Sequence, residues 1–164
     1  QDKKIAGIIE EQGKSCLIVA NKWDLIEKDN NTFYAFEEMI RKNFYFIKNV
    51  PILFVSALSG QRVNNIFENI VNVYHEFHKR LNTSDLNNVV LKAVSEKIPP
   101  SYKGKRLKIL YVTQPKTSPP IFLFFVNDKK LVHFSYRRYL ENKIRESFGF
   151  AGVVLRISFR SRKK

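Results

Sequence analysis

The sequence predicts an α/β chain in two parts: the trailing half of a doubly wound parallel sheet over residues 1–82, then a small α+β domain over residues 83–164. Three observations carry that reading. Two short apolar runs, Cys16–Ala20 (C-L-I-V-A) and Pro51–Val55 (P-I-L-F-V), each stop on a polar loop, N-K-W-D at Asn21–Asp24 and S-A-L-S-G at Ser56–Gly60. Unbroken apolar runs of that kind suit strands buried on both faces of a parallel sheet, and the loops then lie at the carboxyl ends of the strands, where open α/β sheets bind ligands. The charge also changes at the middle of the chain: residues 1–82 carry 11 Lys or Arg against 10 Asp or Glu, and residues 83–164 carry 18 against 5.

Taken in order, Gln1–Gln12 has helical spacing with Ile5, Ile8 and Ile9 on one side, and Gly13 is placed to end it. The chain is expected to start inside or close to an element, as a cut piece would. After the first strand, Asp29-Asn30-Asn31-Thr32 is a polar loop that can cap a helix over Phe33–Asn43, with Phe33, Phe36 and Ile40 inward. The second strand is followed by a helix from Asn64 to Leu81, with Ile66, Ile70, Val73, Tyr74, Phe77 and Leu81 at helical spacing. Asn82-Thr83-Ser84-Asp85 marks a break and the expected domain boundary.

Beyond it, Leu86–Ile98 reads as a helix stopped by Pro99-Pro100. The basic loop Ser101–Arg106 leads into a strand at Leu107–Gln114, in which Leu107, Ile109 and Tyr111 are expected to share one face. Pro115–Pro120 reads as a connection, and Ile121–Val126 (I-F-L-F-F-V) as a central strand. Ser135–Phe148 is a helix with a Tyr136, Tyr139, Leu140, Ile144, Phe148 stripe, ended by Gly149. Val153–Arg160 alternates cleanly, with Val153, Leu155, Ile157 and Phe159 inward, and predicts the last strand. This half is therefore αββαβ, with helices on one face of its sheet.

The two polar loops carry a chemical logic. A carboxylate such as Asp24 can accept from two parallel N–H groups, which guanine offers at N1 and N2 and adenine does not. Against adenine it is left unpaired, at a cost of roughly several kcal/mol if buried. Lys22 can lay its methylene stem along a base or ribose, and Asn21 has both a donor and an acceptor to bridge the base and a neighbouring loop. Ser56 and the small Ala57 would complete the pocket, with the Ala57 N–H available to guanine O6. Alone, N-K-x-D reads equally as a polar turn after a strand. Together the two segments resemble the guanine-specificity motifs N-K-x-D and S-A-x of the translation-factor class of GTPases.

Composition narrows the function classes. A hydrophobic content of 44% supports a packed core rather than disorder. The single cysteine, Cys16, lies in an apolar run and reads as a small buried hydrophobe; with no disulfide framework possible, a reducing cytoplasm is expected. No apolar run approaches the roughly 20 residues of a membrane span. His75 and His78 stand three apart on a helix without a third ligand nearby, and neither they nor His133 are assigned chemistry. The basic second half, within a net charge of +14, is expected to seek a polyanion, most simply nucleic acid, against the plain alternative of a solubilising surface.

The stretches N-K-W-D (21–24) and S-A-L-S-G (56–60), followed by G-K-R-L-K-I-L-Y-V-T-Q (104–114), P-P-I-F-L-F-F-V-N-D (119–128) and F-S-Y-R-R-Y-L-E-N-K-I-R-E-S-F-G-F-A-G (134–152), resemble the carboxyl-terminal part of the bacterial ribosome-assembly GTPases called Der or EngA. The resemblance covers essentially the whole chain. It implies two GTPase domains in tandem followed by a KH-like domain. This chain would then hold the end of the second GTPase domain (a partial P-loop GTPase fold, 1–82) and the KH-like domain (83–164). It implies binding of the guanine moiety of GTP or GDP by Asn21, Lys22, Asp24, Ser56 and Ala57, and a role in assembly of the large (50S) ribosomal subunit. The implied partners are that subunit and its ribosomal RNA, and the other GTPase domain of the parent chain. No G-x-x-x-x-G-K-[S/T] and no D-x-x-G switch occur here, so no catalytic residue and no Mg ligand is assigned. The intact parent is expected to hydrolyse GTP and this stretch alone is not. A sheet without its leading strands is expected to expose edges and apolar faces.

A nucleic-acid-clamping KH domain uses a G-x-x-G loop between two helices. Gly149-Phe150-Ala151-Gly152 has those letters but joins a helix to the last strand, and reads as cap and turn. RNA contacts are therefore expected from basic surface: Lys103, Lys105, Arg106, Arg137, Arg138, Arg160, Arg162, Lys163 and Lys164. The alternative to a GTPase stretch is a non-catalytic RNA- or protein-binding module whose GTPase-like half is only scaffold.

Overall fold

The structure is a computed structural model and describes residues 1–27, 29, 31–44, 49–102 and 104–162. It divides into two compact units, one of Gln1–Phe77 with Phe150–Val154, the other of His78–Gly149 with Leu155–Lys164. Five residues of the carboxyl-terminal half thus belong with the first unit, a grouping that no local pattern announces.

In the first unit, helix α1 (Asp2–Gln12) ends at Gly13, whose φ of 65° is the left-handed conformation that glycine adopts without a Cβ penalty. Strand β1 (Ile18–Ala20) pairs in parallel with β2 (Ile52–Phe54) in the register Ile18 to Ile52, Val19 to Leu53 and Ala20 to Phe54. β1 is shorter than the apolar run that predicts it, and Val19 is 40% exposed rather than buried on both faces. Among the described residues this sheet consists of these two strands. Cys16 lies before β1, half-buried, and burial pushes its thiol pKa up. Helix α2 (Thr32–Asn43) is started by Asp29, whose Oδ1 accepts from the N–H groups of Asn31 and Thr32 and from the Thr32 hydroxyl. Those bonds hold the Asp29 carboxyl below its ordinary pKa.

Helix α3 (Asn64–His78) stops three residues before Leu81. In the second unit the freed backbone is taken up by the buried Gln114 side chain, which accepts from Leu81 N–H at 2.8 Å and donates to Lys79 O at 2.8 Å. Helix α4 (Thr83–Glu96) starts earlier than the apolar spacing suggests, because Asn82 Oδ1 accepts from Ser84 N–H and makes Asn82 the cap. A short hairpin, β3 (Ser101–Tyr102) with β4 (Lys105–Arg106), precedes the sheet. The sheet consists of β5 (Ile109–Thr117), β6 (Pro120–Val126) and β7 (Arg156–Ser161), with β6 central, antiparallel to β5 and parallel to β7. Helix α5 (Phe134–Phe148) lies in sequence between β6 and β7. The order is αββαβ with a small added hairpin.

β5 departs from its sequence pattern twice. A bulge between Ile109 and Tyr111 shifts the register, so Val112 and Gln114 are buried while Tyr111 is 40% exposed. Because strand side chains alternate with period two, one extra residue turns every later side chain to the other face. A second shift between Thr113 and Lys116 takes in Pro115, which has no N–H to donate, so the strand runs on to Thr117 and the expected connection shrinks to Ser118-Pro119. β7 begins at Arg156, since Val153 and Val154 belong to the first unit. The core of the second unit is built from Leu86, Val90 and Ala93 of α4, Phe122, Phe124 and Val126 of β6, and Tyr136, Leu140 and Ile144 of α5. Tyr136 and Tyr139 donate their hydroxyls to Lys97 O and Ala93 O at 2.9 and 2.8 Å, which fastens α5 to the end of α4.

Candidate purine-edge loops and basic surface

The first unit brings the two polar loops together. Val55 N–H donates to Ala20 O at 2.9 Å and Trp23 N–H donates to Val55 O at 3.0 Å, which continues the parallel pairing past the strands. Lys22, at φ 63°, then turns the chain into a 3-10 turn at Trp23–Leu25. Trp23 fills the variable position of N-K-x-D and anchors it: 5% exposed, its ring stands 4.4 Å from Phe54 and 5.4 Å from Phe36. Burying that side chain leaves Asn21, Lys22 and Asp24 exposed.

The second loop is closed on itself. Ser56 is fully buried; its N–H donates to Gln61 O at 3.1 Å and its Oγ accepts from Ser59 N–H at 3.2 Å. Gly60, at φ 75°, makes the reversal. Across the two loops, Asn21 Oδ1 accepts from Ala57 N–H at 3.0 Å. That bond leaves the Asn21 Nδ2 amine to face a ligand, and a donor there suits an acceptor such as guanine N7. The Ala57 N–H, expected from the sequence to reach guanine O6, is engaged by Asn21 and can reach a base only by sharing. Asn21 and Asp24 are both exposed beside this junction of the two loops. Among the described residues, no group of three or more His, Cys, Asp or Glu is placed to hold a metal ion.

Gly149-Phe150-Ala151-Gly152 does not form a clamp. Gly149 N–H donates to Arg145 O at 2.8 Å and caps α5. Phe150 is fully buried and its N–H donates to the Glu76 carboxylate. Gly152 O accepts from Cys16 N–H, and Gly152 N–H donates to Asn49 O, both at 2.8 Å.

Of the basic residues expected to face RNA, Lys103, Lys163 and Lys164 lie outside the described residues. Lys105 and Arg106 form β4, Arg137 and Arg138 lie in the first turns of α5, and Arg160 and Arg162 stand at the end of β7; all six are exposed. Three of the five carboxylates of the second unit pair with other cations: Glu141 with Arg145 at 3.0 Å, and Glu96 and Glu146 with Lys143 at 3.0 and 3.2 Å. His133, given no role from sequence, is the cap of α5, its Nδ1 accepting from Ser135 N–H.

Residues 80–160 match the family described as KH-domain-like of EngA bacterial GTPase enzymes, C-terminal. The whole chain is 55% identical to GTPase Der of Agathobacter rectalis over 164 residues, which is 37% of that relative's length. It is 52% identical to GTPase Der of Alkaliphilus oremlandii and 50% identical to that of Caldanaerobacter subterraneus subsp. tengcongensis, each over 162 residues and 37% of the relative. The chain belongs to the Der (EngA) family. It spans little more than a third of the length of these Der relatives. The carboxyl-terminal Der domain matched by residues 80–160 is the αββαβ unit just described, and the N-K-W-D and S-A-L-S-G loops lie before it.

Proposed function

We propose that this chain supplies the guanine-reading loops and the basic KH-like domain of a GTP-binding factor that acts in assembly of the large (50S) ribosomal subunit. The observation that carries this reading is the 3.0 Å bond between Asn21 and Ala57, which sets the N-K-x-D and S-A-x loops on one rim. In this reading Asp24 pairs with guanine N1 and N2, Asn21 donates to N7, Lys22 lies along the base, and Ser56 holds its loop in shape. Phosphate and Mg contacts, and hydrolysis itself, come from parts of the longer protein outside this chain. Exposed apolar residues on α3, with Phe67 70%, Ile70 50% and Tyr74 59% exposed, and the open side of β1 at Val19 suit burial under the remainder of a GTPase sheet. The basic second half is the part that meets ribosomal RNA, and Cys16 without a partner cysteine fits a cytoplasmic protein.

The test is Asp24→Asn in the full-length protein. GTP affinity is expected to fall, and xanthine nucleotides to bind better than guanine ones, since xanthine carries a carbonyl where guanine carries an amine. An unchanged preference removes Asp24 from the base pocket and leaves the scaffold reading.

A further inference from the structure

In the second unit, three sequence-distant segments (106–108, 127–130 and 161–162) bring exposed cations to one end of the sheet, and Asn127 ties the first two together. Its Nδ2 donates to Arg106 O at 2.9 Å, its Oδ1 accepts from Lys108 N–H at 2.8 Å, and its N–H donates to Lys108 O at 3.1 Å. One residue earlier, Val126 O accepts from Arg162 N–H at 3.0 Å; two residues later, Lys129 N–H donates to Ser161 Oγ at 2.9 Å. Asp128 is the acid within this set, and its Oδ1 accepts from Lys130 N–H at 2.9 Å. Among the described residues no carboxylate pairs with Arg106, Lys108, Lys129, Lys130 or Arg162. Concentrated like charge without counter-charge is a standing attraction for a polyanion, since neutralised phosphates release their counterions.

The chain runs from this cluster directly to an aromatic ring. A hollow of about 180 Å³ is lined by Pro100, Ser101 and Lys130 to His133, smaller than the usual drug-sized pocket and of a size for a single base. At its edge the His133 ring stands 4.4 Å from Phe134, and the Arg138 guanidinium lies 5.8 Å over the Phe134 ring. Phe134 is 65% exposed at the start of α5 and contributes nothing to the core. A single exposed aromatic is ordinary. An exposed ring with an imidazole and a guanidinium close by, beside lysines that no carboxylate pairs, is the kind of surface on which unstacked bases settle.

We propose that this sheet end, from Arg106 and Asn127 to the first turn of α5, binds single-stranded RNA, with Lys129, Lys130 and Arg162 on phosphates and Phe134 stacked on a base. The proposal rests on the RNA-binding reading above and names the surface that performs it. It differs from the residues legible in the sequence by adding Lys129, Lys130 and Phe134.

The experiment titrates the full chain against fluorescein-labelled oligo(A) and against blunt duplex RNA of equal length, over a range of salt. Wild type is expected to bind the single strand more tightly than the duplex, with a steep salt slope. Lys129→Gln with Lys130→Gln should lower the slope by about two, one per lost phosphate contact. Phe134→Leu, at an exposed position where folding is not at stake, should weaken single-strand binding by about 5- to 100-fold with the salt slope unchanged. Lys116→Gln, at the opposite end of the β5–β6 hairpin, should change neither. If the single strand binds but these variants match wild type, or if Lys116→Gln is equivalent to the lysine pair, this surface is wrong while RNA binding stands. If wild type shows no salt-dependent binding to either RNA, the RNA-binding reading fails and the proposal with it.

Discussion

Asn21 and Ala57 stand thirty-six positions apart in the chain, and the side-chain oxygen of one accepts the backbone N–H of the other at 3.0 Å. The bond is exposed yet well formed, and it joins the ends of two strands that are themselves only three residues long. Asn21→Ala should therefore cost about 1 kcal/mol of stability and detach the two loops from each other. Urea unfolding followed by the fluorescence of Trp23, the single tryptophan, reads the first effect. Guanine-nucleotide affinity of the full-length protein reads the second, and full retention of both would show that the bond organises nothing.

Gly152 sits at φ 74° with Cys16 O 2.8 Å and Val73 Cγ2 2.7 Å from where a Cβ would stand. The carbonyl belongs to a backbone already bonded to Gly152 and has little freedom to retreat. Gly152→Ala is expected to destabilise the first unit by about 2–4 kcal/mol, combining left-handed strain with overpacking. Gly60→Ala is the comparison, since Gly60 has a φ of 75° but nothing within 4 Å of its Cβ position. Equal losses for the two variants would mean that the contact with β1's approach contributes nothing.

On the edge strand β5, the Asn87 side chain behaves as a partner strand: its Nδ2 donates to Val112 O and its Oδ1 accepts from Val112 N–H, both at 2.9 Å. Val112 is fully buried, so removing the amide leaves two backbone groups without a partner or water. Asn87→Leu should cost about 2–4 kcal/mol, measured by chemical denaturation of the second unit's circular-dichroism signal. A loss below about 0.5 kcal/mol, the range of ordinary surface changes, would contradict this.

The Tyr136 hydroxyl is buried against Lys97 O, and burial pushes its pKa from 10.0 up to about 12, with Tyr139 adding to the shift. A folded-state pKa raised above the unfolded value means the native state holds a proton that the unfolded chain releases. Stability from this group is intact below pH 10 and falls as pH rises towards about 12. Tyr136→Phe should lose about 1 kcal/mol at neutral pH through the missing hydrogen bond. Its deficit relative to wild type should shrink above pH 10, and denaturation midpoints for both proteins across that range decide the matter.

Readable from the residues alone were the apolar runs that become β1, β2 and β6, the helical stripes of α3 and α5, the glycine stops at Gly13 and Gly149, and the two polar loops that follow β1 and β2. Each depends on local spacing or on one residue's backbone preference, and such information survives in a linear string. The face reversal in β5, the short β7 and the attachment of Phe150–Val154 to the first unit depend instead on bulges and on partners far away in the chain. Asn127 makes the same point for function. As a letter it marks only the end of a strand, and it becomes the hub of a basic surface because its amide meets Arg106 and Lys108 from a strand pair that closes nineteen and twenty-one positions away. Hydrogen bonds across such distances form only after the chain has folded, so no window of neighbouring residues contains them.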